Sequence, residues 1–187
     1  SISPNIDESS LLSEAAEDLV ARLALTKAKA AAVILSARAE ATSSVVNKST
    51  AHKESYLIVG SDQVAVIDGK IVTKPHNHSN AFKQLRHASG RRVTFLTSLC
   101  LYNTYTGSHQ LTVVPYTVNF LPLTDAQIEN YLMKEQPYDC AGSIKSEGLG
   151  IALFENIQGE DPNTLTGMPL IALIGMLRQE GIDPLSH

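Results

Sequence analysis

The sequence is poor in the features on which several protein classes depend. Its two cysteines, Cys100 and Cys140, are far apart and outside any CxxC pair, which argues against a zinc site of that type. So few cysteines are typical of a protein from the reducing cytoplasm. The net charge of −4 lacks the basic excess of a general nucleic-acid binder. No apolar run approaches the roughly 18 residues that span a membrane.

Several catalytic and binding motifs are also missing. There is no GxxxxGK[ST] or GxGxxG, so phosphate binding by those loops is not indicated. No Gly-x-Ser-x-Gly elbow is present and neither cysteine has a nucleophile signature, which disfavours covalent catalysis. What remains is ordinary globular composition, 43% hydrophobic and 18% charged, over 187 residues. The length suits one domain or two small lobes.

The first third of the chain predicts a helix followed by a hairpin. Apolar residues recur at helical spacing over 10–38, and the Ser/Thr-rich stretch 39–54 predicts a surface loop. A strand is predicted over 56–67. Asp68-Gly69 is a strong two-residue hairpin signal, so 70–74 should pair back on that strand.

The rest of the chain alternates between helices and strands. A short helix begins at a predicted N-cap, Ser79, and stops at Gly90. Two strands follow, "RVTFLTSLCLYN" and "LTVVPYTVNFLPL", and Pro115 predicts an edge or a bulge in the second. Thr124 and Gln127 have the spacing of a capping box at the start of a helix. Further elements are a strand, "GIALFENI", and a final helix over about 169–180. The fold class is therefore α/β, with a mixed twisted sheet and helices on both sides.

Asp62 is the clearest candidate functional residue. It lies in the apolar strand "IVGSDQVAVI", where a carboxylate costs several kcal/mol unless it is paired or binds a cation. A structural salt bridge and a catalytic or metal-binding role are equally good explanations. Lys27 lies on the apolar stripe of the first helix, where a lysine often buries its stem and keeps its charge in water.

Further charged residues favour a polyphosphate site. Asp7-Glu8 precede the long helix, Lys74 ends the hairpin, and Glu147 lies in the glycine-rich turn "KSEGLG". Carboxylates hold Mg²⁺ or Mn²⁺ against phosphates, and lysines neutralise the remaining charge. On spacing alone Glu147 is better explained as an exposed turn residue beside Lys145. His76-x-His78, with His87 near in sequence, could bind zinc, but the pair has no obvious third ligand, so a surface loop is the better interpretation.

Together these segments resemble a known family. "DLVARLALTKAKA", "IVGSDQVAVIDG", "TKP", "ASGRRVTFLT" and "YDCAGSIKSEGLGIALFENIQGEDPNTLTGMPL" occur in this order, as in the Maf family of nucleotide pyrophosphatases. The combination of "SDQ" with "KSEG" is similar to the branch that hydrolyses 7-methyl-GTP. The dTTP/UTP branch typically has Thr in place of Gln63 and Gln in place of Glu147.

The resemblance implies a role for each matched residue. Asp62 would be the proton acceptor that activates water, and with Glu8 it would hold a divalent cation, Mg²⁺ or Mn²⁺. Lys27 and Lys74 would contact the triphosphate. A second pair would select the base, namely Gln63 and Glu147. The implied fold has two α/β lobes, similar to inosine triphosphatases, with the site in a central cleft, and a homodimer is one implied assembly.

One part of the family pattern has no match. Maf proteins begin with a strand and a Ser-x-x-Arg loop that touches the phosphates and the base, and no residues here correspond to either. The sequence leaves open whether this segment lies upstream of Ser1. A chain beginning there would lack a basic phosphate clamp and one strand, which would favour a nucleotide-binding role over catalysis.

The sequence thus leaves three functions to compare. The leading hypothesis is a metal-assisted pyrophosphatase that converts 7-methyl-GTP to 7-methyl-GMP and pyrophosphate. A second keeps this chemistry and acts on other modified or canonical nucleotides. The third is a non-catalytic nucleotide-binding regulator linked to cell division.

Overall fold

The computed structural model of the chain describes residues 2–43 and 55–186. Within these residues the chain forms four α-helices and five strands. The helices are α1 (Ala16–Ser43), α2 (His78–Ala88), α3 (Asp125–Glu135) and α4 (Leu170–Gln179). The strands are β1 (Leu57–Ile67), β2 (Lys70–Val72), β3 (Arg92–Asn103), β4 (His109–Phe120) and β5 (Phe154–Gln158). Short 3₁₀ segments occur at Ala141–Ser143, Leu149–Leu153 and Pro162–Thr164. This interspersed order confirms the predicted α/β class.

The strands form one sheet in the order β2-β1-β3-β4-β5. β1 and β2 are antiparallel, and Asp68 and Gly69 join them with positive φ angles of 50° and 74°, as the hairpin prediction requires. β4 and β5 are also antiparallel, and their pairing begins at Thr117. Pro115 lies before that point, so its missing N–H interrupts no bond to β5, in agreement with the prediction of an edge position.

The chain divides into two compact units, each with its own core. Unit 1 comprises the described residues of Ser1–Asp62, Ser98–Thr112 and Ala172–His187. Helix α1 belongs to this unit and contributes a face of small residues. The residues of one buried cluster here are Ala24, Ala28, Ala31, Ile58 and Cys100. Cys100 is therefore a core thiol, as predicted, and burial raises its pKa to about 11.

Unit 2 comprises Gln63–Thr97 and Val113–Ile171. Its core is larger and more aromatic, and its members come from α2, α3 and the strands within the unit. The largest fully buried side chains in this cluster include Phe95, Phe120, Leu85, Ile128 and Leu132. Phe120 and Phe154 meet edge to face, with ring centroids 5.3 Å apart.

The first helix begins and ends later than predicted. Leu12 is 99% exposed and precedes α1, because Ser13 has a φ of 61° in a turn that closes with a bond from Glu14 N to Leu11 O. At the other end α1 runs through Ser43, so the first residues of the predicted loop are helical. The remaining loop residues, 44–54, lie outside the described part of the chain.

Two other local predictions were wrong. The N-cap of α2 is Asn77 and not Ser79, because the Asn77 side chain accepts a hydrogen bond from Asn80 N. The strand predicted in "GIALFENI" begins only at Phe154, since Leu149–Leu153 form a 3₁₀ turn. The stop at Gly90 is confirmed by its φ of 68°, and the capping box of Thr124 and Gln127 is present. No helix in the described ranges has the length and apolar character that crossing a membrane requires.

Candidate functional site

Three of the predicted residues meet in unit 1. Lys27 Nζ lies 2.5 Å from Asp62 Oδ1 and 2.8 Å from Glu8 Oε1. The Asp62 side chain is 11% exposed and that of Lys27 22%, whereas Glu8 is 47% exposed. Two carboxylates therefore converge on one ammonium group. That of Asp62 is mostly buried, and that of Glu8 faces solvent.

Close packing of α1 on β1 makes this meeting possible. Gly60 lies directly against the helix, and a Cβ built there would be 2.2 Å from Ala24 O and 3.0 Å from Ala28 N. Only glycine permits this approach. Lys27 follows Ala24 by three residues and therefore lies near the same face of α1, next to the strand that carries Asp62.

A buried serine fixes the backbone of Asp62. Ser98 Oγ donates to Val20 O in α1 at 2.6 Å and accepts from Asp62 N at 3.2 Å. Ser61 Oγ donates to Ser98 O at 2.8 Å. The Ser98 hydroxyl thus links helix α1 to the backbone of Asp62, the candidate base. These bonds limit small movements of the Asp62 backbone.

Electrostatics keep the Lys27 ammonium protonated. Partial burial lowers the pKa of Lys27, but its hydrogen bonds to Asp62 and then Glu8 more than offset this, so the pKa lies above its ordinary value. Such charge-assisted bonds are the stronger class of hydrogen bond. The salt bridge anticipated for Asp62 is confirmed, and the catalytic explanation stays a prediction beside it.

Glu8 is held by a clamp on the segment that precedes α1. Arg22 donates to Glu14 through Nε at 2.6 Å and Nη2 at 2.8 Å, and Nη2 also donates to Ser9 O at 3.0 Å. Because Ser9 adjoins Glu8, this bidentate pair ties the segment to the helix that carries Lys27. The sequence analysis missed this clamp, since no spacing rule relates Glu14 to Arg22.

Gln63 is the first residue of unit 2, and its amide is used within that unit. Gln63 Nε2 donates to Thr97 Oγ1 at 2.7 Å and to Thr164 O at 2.9 Å. Thr97 was also missed, although a signal was available. It and Ser98 are adjacent hydroxyl residues between apolar neighbours in the run "TFLTSLCLY", and both are fully buried.

Lys74 lies just beyond β2 on an anchored segment. Thr73 O, just before Lys74, accepts a hydrogen bond from Gln84 Nε2 at 3.1 Å. His76 N, just after it, donates to Tyr138 O at 2.9 Å. The Lys74 side chain is exposed between these anchors. The arrangement presents an ammonium group to solvent between two backbone positions that are hydrogen-bonded to α2 and to Tyr138.

Glu147 is exposed in its turn, and Lys145 does not pair with it. Lys145 Nζ lies 3.3 Å from Glu135 Oε2, whereas Glu147 accepts only a 3.3 Å bond from Ser146 Oγ among the described residues. Glu147 is thus an exposed turn residue, as one explanation of the sequence had it, and it is not paired with Lys145, because Glu135 takes the ammonium. The Glu147 carboxylate is left available to a ligand.

The turn that carries Glu147 is nevertheless well defined. Gly148 N and Gly150 N both donate to Lys145 O, at 3.1 and 3.0 Å. A Cβ on Gly150 would lie 2.4 Å from that oxygen, so the turn requires glycine there. Tyr131 OH accepts from Lys145 N at 3.0 Å and ties the turn to α3.

Lys74 and Glu147 act on the same thiol in unit 2. Burial raises the pKa of Cys140, and the Glu147 charge raises it further. The ammonium groups of Lys145 and Lys74 act in the opposite direction. Lys74, predicted to bind phosphate, and Glu147, predicted to recognise the base, are therefore both close enough to Cys140 to influence its pKa.

The three histidines considered for zinc, His76, His78 and His87, are not grouped as a metal site in the described part of the chain. His78 lies between Tyr138 OH at 3.2 Å and Glu129 Oε2 at 2.9 Å, and His87 lies 3.5 Å from Asp68 Oδ2. His76 is exposed. Across residues 2–43 and 55–186, no three His, Cys, Asp or Glu side chains are grouped as a metal site.

Comparison with known proteins gives a consistent result over the whole chain. A model of the family described as Maf-like protein matches residues 1–180. Proteins named 7-methyl-GTP pyrophosphatase are similar to it. The relative from Pseudomonas savastanoi pv. phaseolicola is 50% identical over 97% of this chain and 85% of its own length. That from Pseudoalteromonas translucida is 48% identical over 98% and 82%, and that from Vibrio vulnificus is 47% identical over 98% and 85%.

Proposed function

Because the chain belongs to the Maf family, we propose that it is a nucleotide pyrophosphatase that hydrolyses 7-methyl-GTP to 7-methyl-GMP and pyrophosphate. The substrate in this proposal comes from the name of relatives that are 47–50% identical over nearly the full chain. The chemistry is supported by one observation, the convergence of Glu8 and Asp62 on Lys27.

Asp62 is the residue best suited to activate water. Its carboxylate is mostly buried, its backbone is fixed by Ser98, and Lys27 holds one of its oxygens. In the proposed reaction Asp62 takes a proton from a water that attacks the α-phosphorus, and the bond to the pyrophosphate group breaks. Lys27 and Lys74 stabilise the negative charge that develops on the leaving group.

The donor set fits a hard divalent cation. Glu8 and Asp62 supply carboxylate oxygens that already share one cationic partner. Mg²⁺ is usually held by one or two carboxylates together with substrate phosphates, and rarely by a cage made of protein alone. Glu8 and Asp62 would hold it, and it would withdraw charge from the phosphate oxygens when bound.

Glu147 suits a guanine that carries a positive charge. Guanine presents N1–H and a 2-amino group side by side, and one carboxylate accepts from both. Methylation at N7 makes the ring cationic, which strengthens both donors and adds Coulombic attraction. The absence of an ion pair to Glu147 among the described residues leaves its charge available for this contact.

The decisive experiment measures pyrophosphate release across a nucleotide panel. The panel contains 7-methyl-GTP, GTP, ATP, dTTP and UTP, each with Mg²⁺, with Mn²⁺ and with a chelator. We expect the highest kcat/KM for 7-methyl-GTP and loss of turnover with the chelator. Absence of release from every nucleotide would rule out the proposed activity.

The same assay tests the role of Asp62. Asp62→Asn should lower kcat by about 10²–10⁴-fold, the usual contribution of a general base. Lys27 keeps Glu8 as a partner in this variant, so no buried charge is left alone. Asp18→Asn, which removes an exposed carboxylate of α1, is the matched control and should leave kcat unchanged. Full turnover by Asp62→Asn would remove Asp62 from the base role.

A further inference from the structure

The side-chain amide of Gln63 is held from its nitrogen side only. Nε2 donates to Thr97 Oγ1 at 2.7 Å and to Thr164 O at 2.9 Å, with a longer contact of 3.4 Å to Leu165 O. Thr97 and Thr164 are fully buried, so these bonds form away from water. Oε1 has no hydrogen-bond partner in the described part of the chain, and Gln63 is itself only partly buried.

These partners permit one orientation of the amide. Thr164 O can only accept, so it must face Nε2 and not Oε1. Thr97 has one hydroxyl proton and donates it to Thr164 O at 3.0 Å, which leaves a lone pair directed at Gln63. A flipped amide would place Oε1 against the Thr164 carbonyl oxygen, which cannot donate, so the bond to Thr164 would be lost. Gln63 therefore presents an acceptor, and never a donor, on its open side.

The carbonyl at the centre of this arrangement is itself fixed. Thr164 O also accepts from Gly167 N at 3.0 Å, and Thr164 N donates to Asp161 O at 3.0 Å. Asp161 in turn is buried and accepts from Ile171 N at 2.7 Å at the start of α4. Because these bonds hold Thr164 in place, its carbonyl oxygen does not move with the Gln63 side chain. The surroundings of Gln63 therefore set the orientation of its amide.

We propose that Thr97 is a positioning residue for base recognition, which holds the Gln63 amide so that Oε1 accepts a hydrogen bond from an N–H group of the nucleotide base. The inference rests on the proposed function. A site that offers an acceptor favours a base with a further donor, such as guanine, whose second 2-amino hydrogen remains after Glu147 has accepted from N1–H and from the first. It disfavours adenine, which has only a C–H bond at C2, between the acceptors N1 and N3, and whose one amino group lies at C6 on the other side of N1.

The test compares Thr97→Val with Thr97→Ser. Valine has the shape of threonine without the hydroxyl, whereas serine keeps the hydroxyl. We expect Thr97→Val to lower the ratio of kcat/KM for 7-methyl-GTP to that for ATP by about tenfold, the loss of one well-oriented hydrogen bond. Thr97→Ser should stay within about twofold of wild type, and kcat for 7-methyl-GTP should change less than KM in both. Gln63→Met, which keeps the volume and removes the amide, should reproduce the effect and replaces Thr97→Val if that variant does not fold.

A second measurement does not depend on turnover. The ¹H–¹⁵N signals of the Gln63 side-chain amide should exchange slowly with solvent in wild type and Thr97→Ser, and rapidly in Thr97→Val. An unchanged ratio together with unchanged exchange in Thr97→Val would overturn the inference and leave the pyrophosphatase proposal standing. If wild type releases no pyrophosphate, the proposed function fails, and the same ratio is taken from equilibrium binding. In that case a tenfold loss supports the positioning role, and an unchanged ratio or no binding overturns it.

Discussion

Replacing Gly60 by alanine tests whether the close contact between α1 and β1 sets the geometry of the catalytic cluster. The added Cβ would lie 2.2 Å from Ala24 O and 3.0 Å from Ala28 N, both backbone atoms that cannot rotate away. Carbon contacts are favourable near 3.5–4.0 Å, so the helix and strand must separate by roughly 1 Å. Lys27 is carried by the displaced part of α1, and its 2.5 Å bond to Asp62 would lengthen.

The expected loss of stability follows from two opposing effects. Overpacking costs about 3 kcal/mol where backbone must move. Alanine regains about 0.5–1 kcal/mol by reducing the entropy of the unfolded chain. The net destabilisation of about 2 kcal/mol should lower Tm by about 4–8 °C in a chain of this length. Thermal melts followed by circular dichroism, with urea titrations, measure it directly.

Activity supplies the more specific readout. Well below Tm, where the variant is folded, kcat of Gly60→Ala should still fall by tenfold or more, because the Lys27–Asp62 pair is disturbed. Gly175→Ala is the matched control, since among the described residues no atom outside α4 lies within 4 Å of a Cβ at this position. It should raise stability by about 0.5–1 kcal/mol and leave kcat unchanged. If Gly60→Ala has the wild-type Tm and kcat, the contact does not position the cluster.

Two further changes probe the base contact and the segment that carries Glu8. Glu147→Gln should lower the preference for 7-methyl-GTP over GTP by about tenfold, because the amide loses the charge and one acceptor. Glu155→Gln, which changes an exposed carboxylate of β5, is the control. If the ratio of kcat/KM for 7-methyl-GTP to that for GTP is the same in Glu147→Gln and wild type, the account of Glu147 is contradicted. The Arg22 bonds, and then the bond from Leu11 N, lower the pKa of Glu14 from 4.5 to about 2. A lowered carboxylate pKa stabilises the fold fully above the unfolded pKa, so the clamp should loosen as pH falls from about 4.5 to 2. Protection factors for amide hydrogen exchange over 7–14 should fall across that interval in wild type and be low at every pH in Glu14→Gln. Protection factors that persist to pH 2 would show that the clamp does not depend on this charge.

Most of the fold follows from short-range patterns in the sequence. The hairpin at Asp68-Gly69 and the capping box at Thr124 depend on residues within one turn of each other, and both are present. Element boundaries were less accurate where a local alternative competed. Leu12 continues the apolar stripe of α1 in the sequence. The turn at Ser13 and the ion pair between Arg22 and Glu14 nevertheless place it outside the helix.

The candidate site was only partly predictable, because its contacts span long stretches of sequence. A carboxylate in an apolar strand was enough to single out Asp62, but not to show that Lys27 and Glu8 meet it. Thr97 is a polar residue between apolar neighbours in a predicted strand, but this pattern alone does not give it a role. Its link to Thr164 could not be inferred, because no local pattern relates two residues 67 positions apart.

The sequence by itself determined the order of helices and strands, the tight turns and the residue types available for polyphosphate chemistry, since periodicity, turn preferences and capping act between near neighbours. Tertiary structure decided which groups share a hydrogen bond. Lys27 reaches Asp62 across 35 positions and Gln63 reaches Thr164 across 101. Such pairs depend on packing distances of a few ångströms. Gly60 lets α1 approach β1 closely enough for Lys27 to reach Asp62, and the buried Thr97 hydroxyl bonds both Gln63 and Thr164.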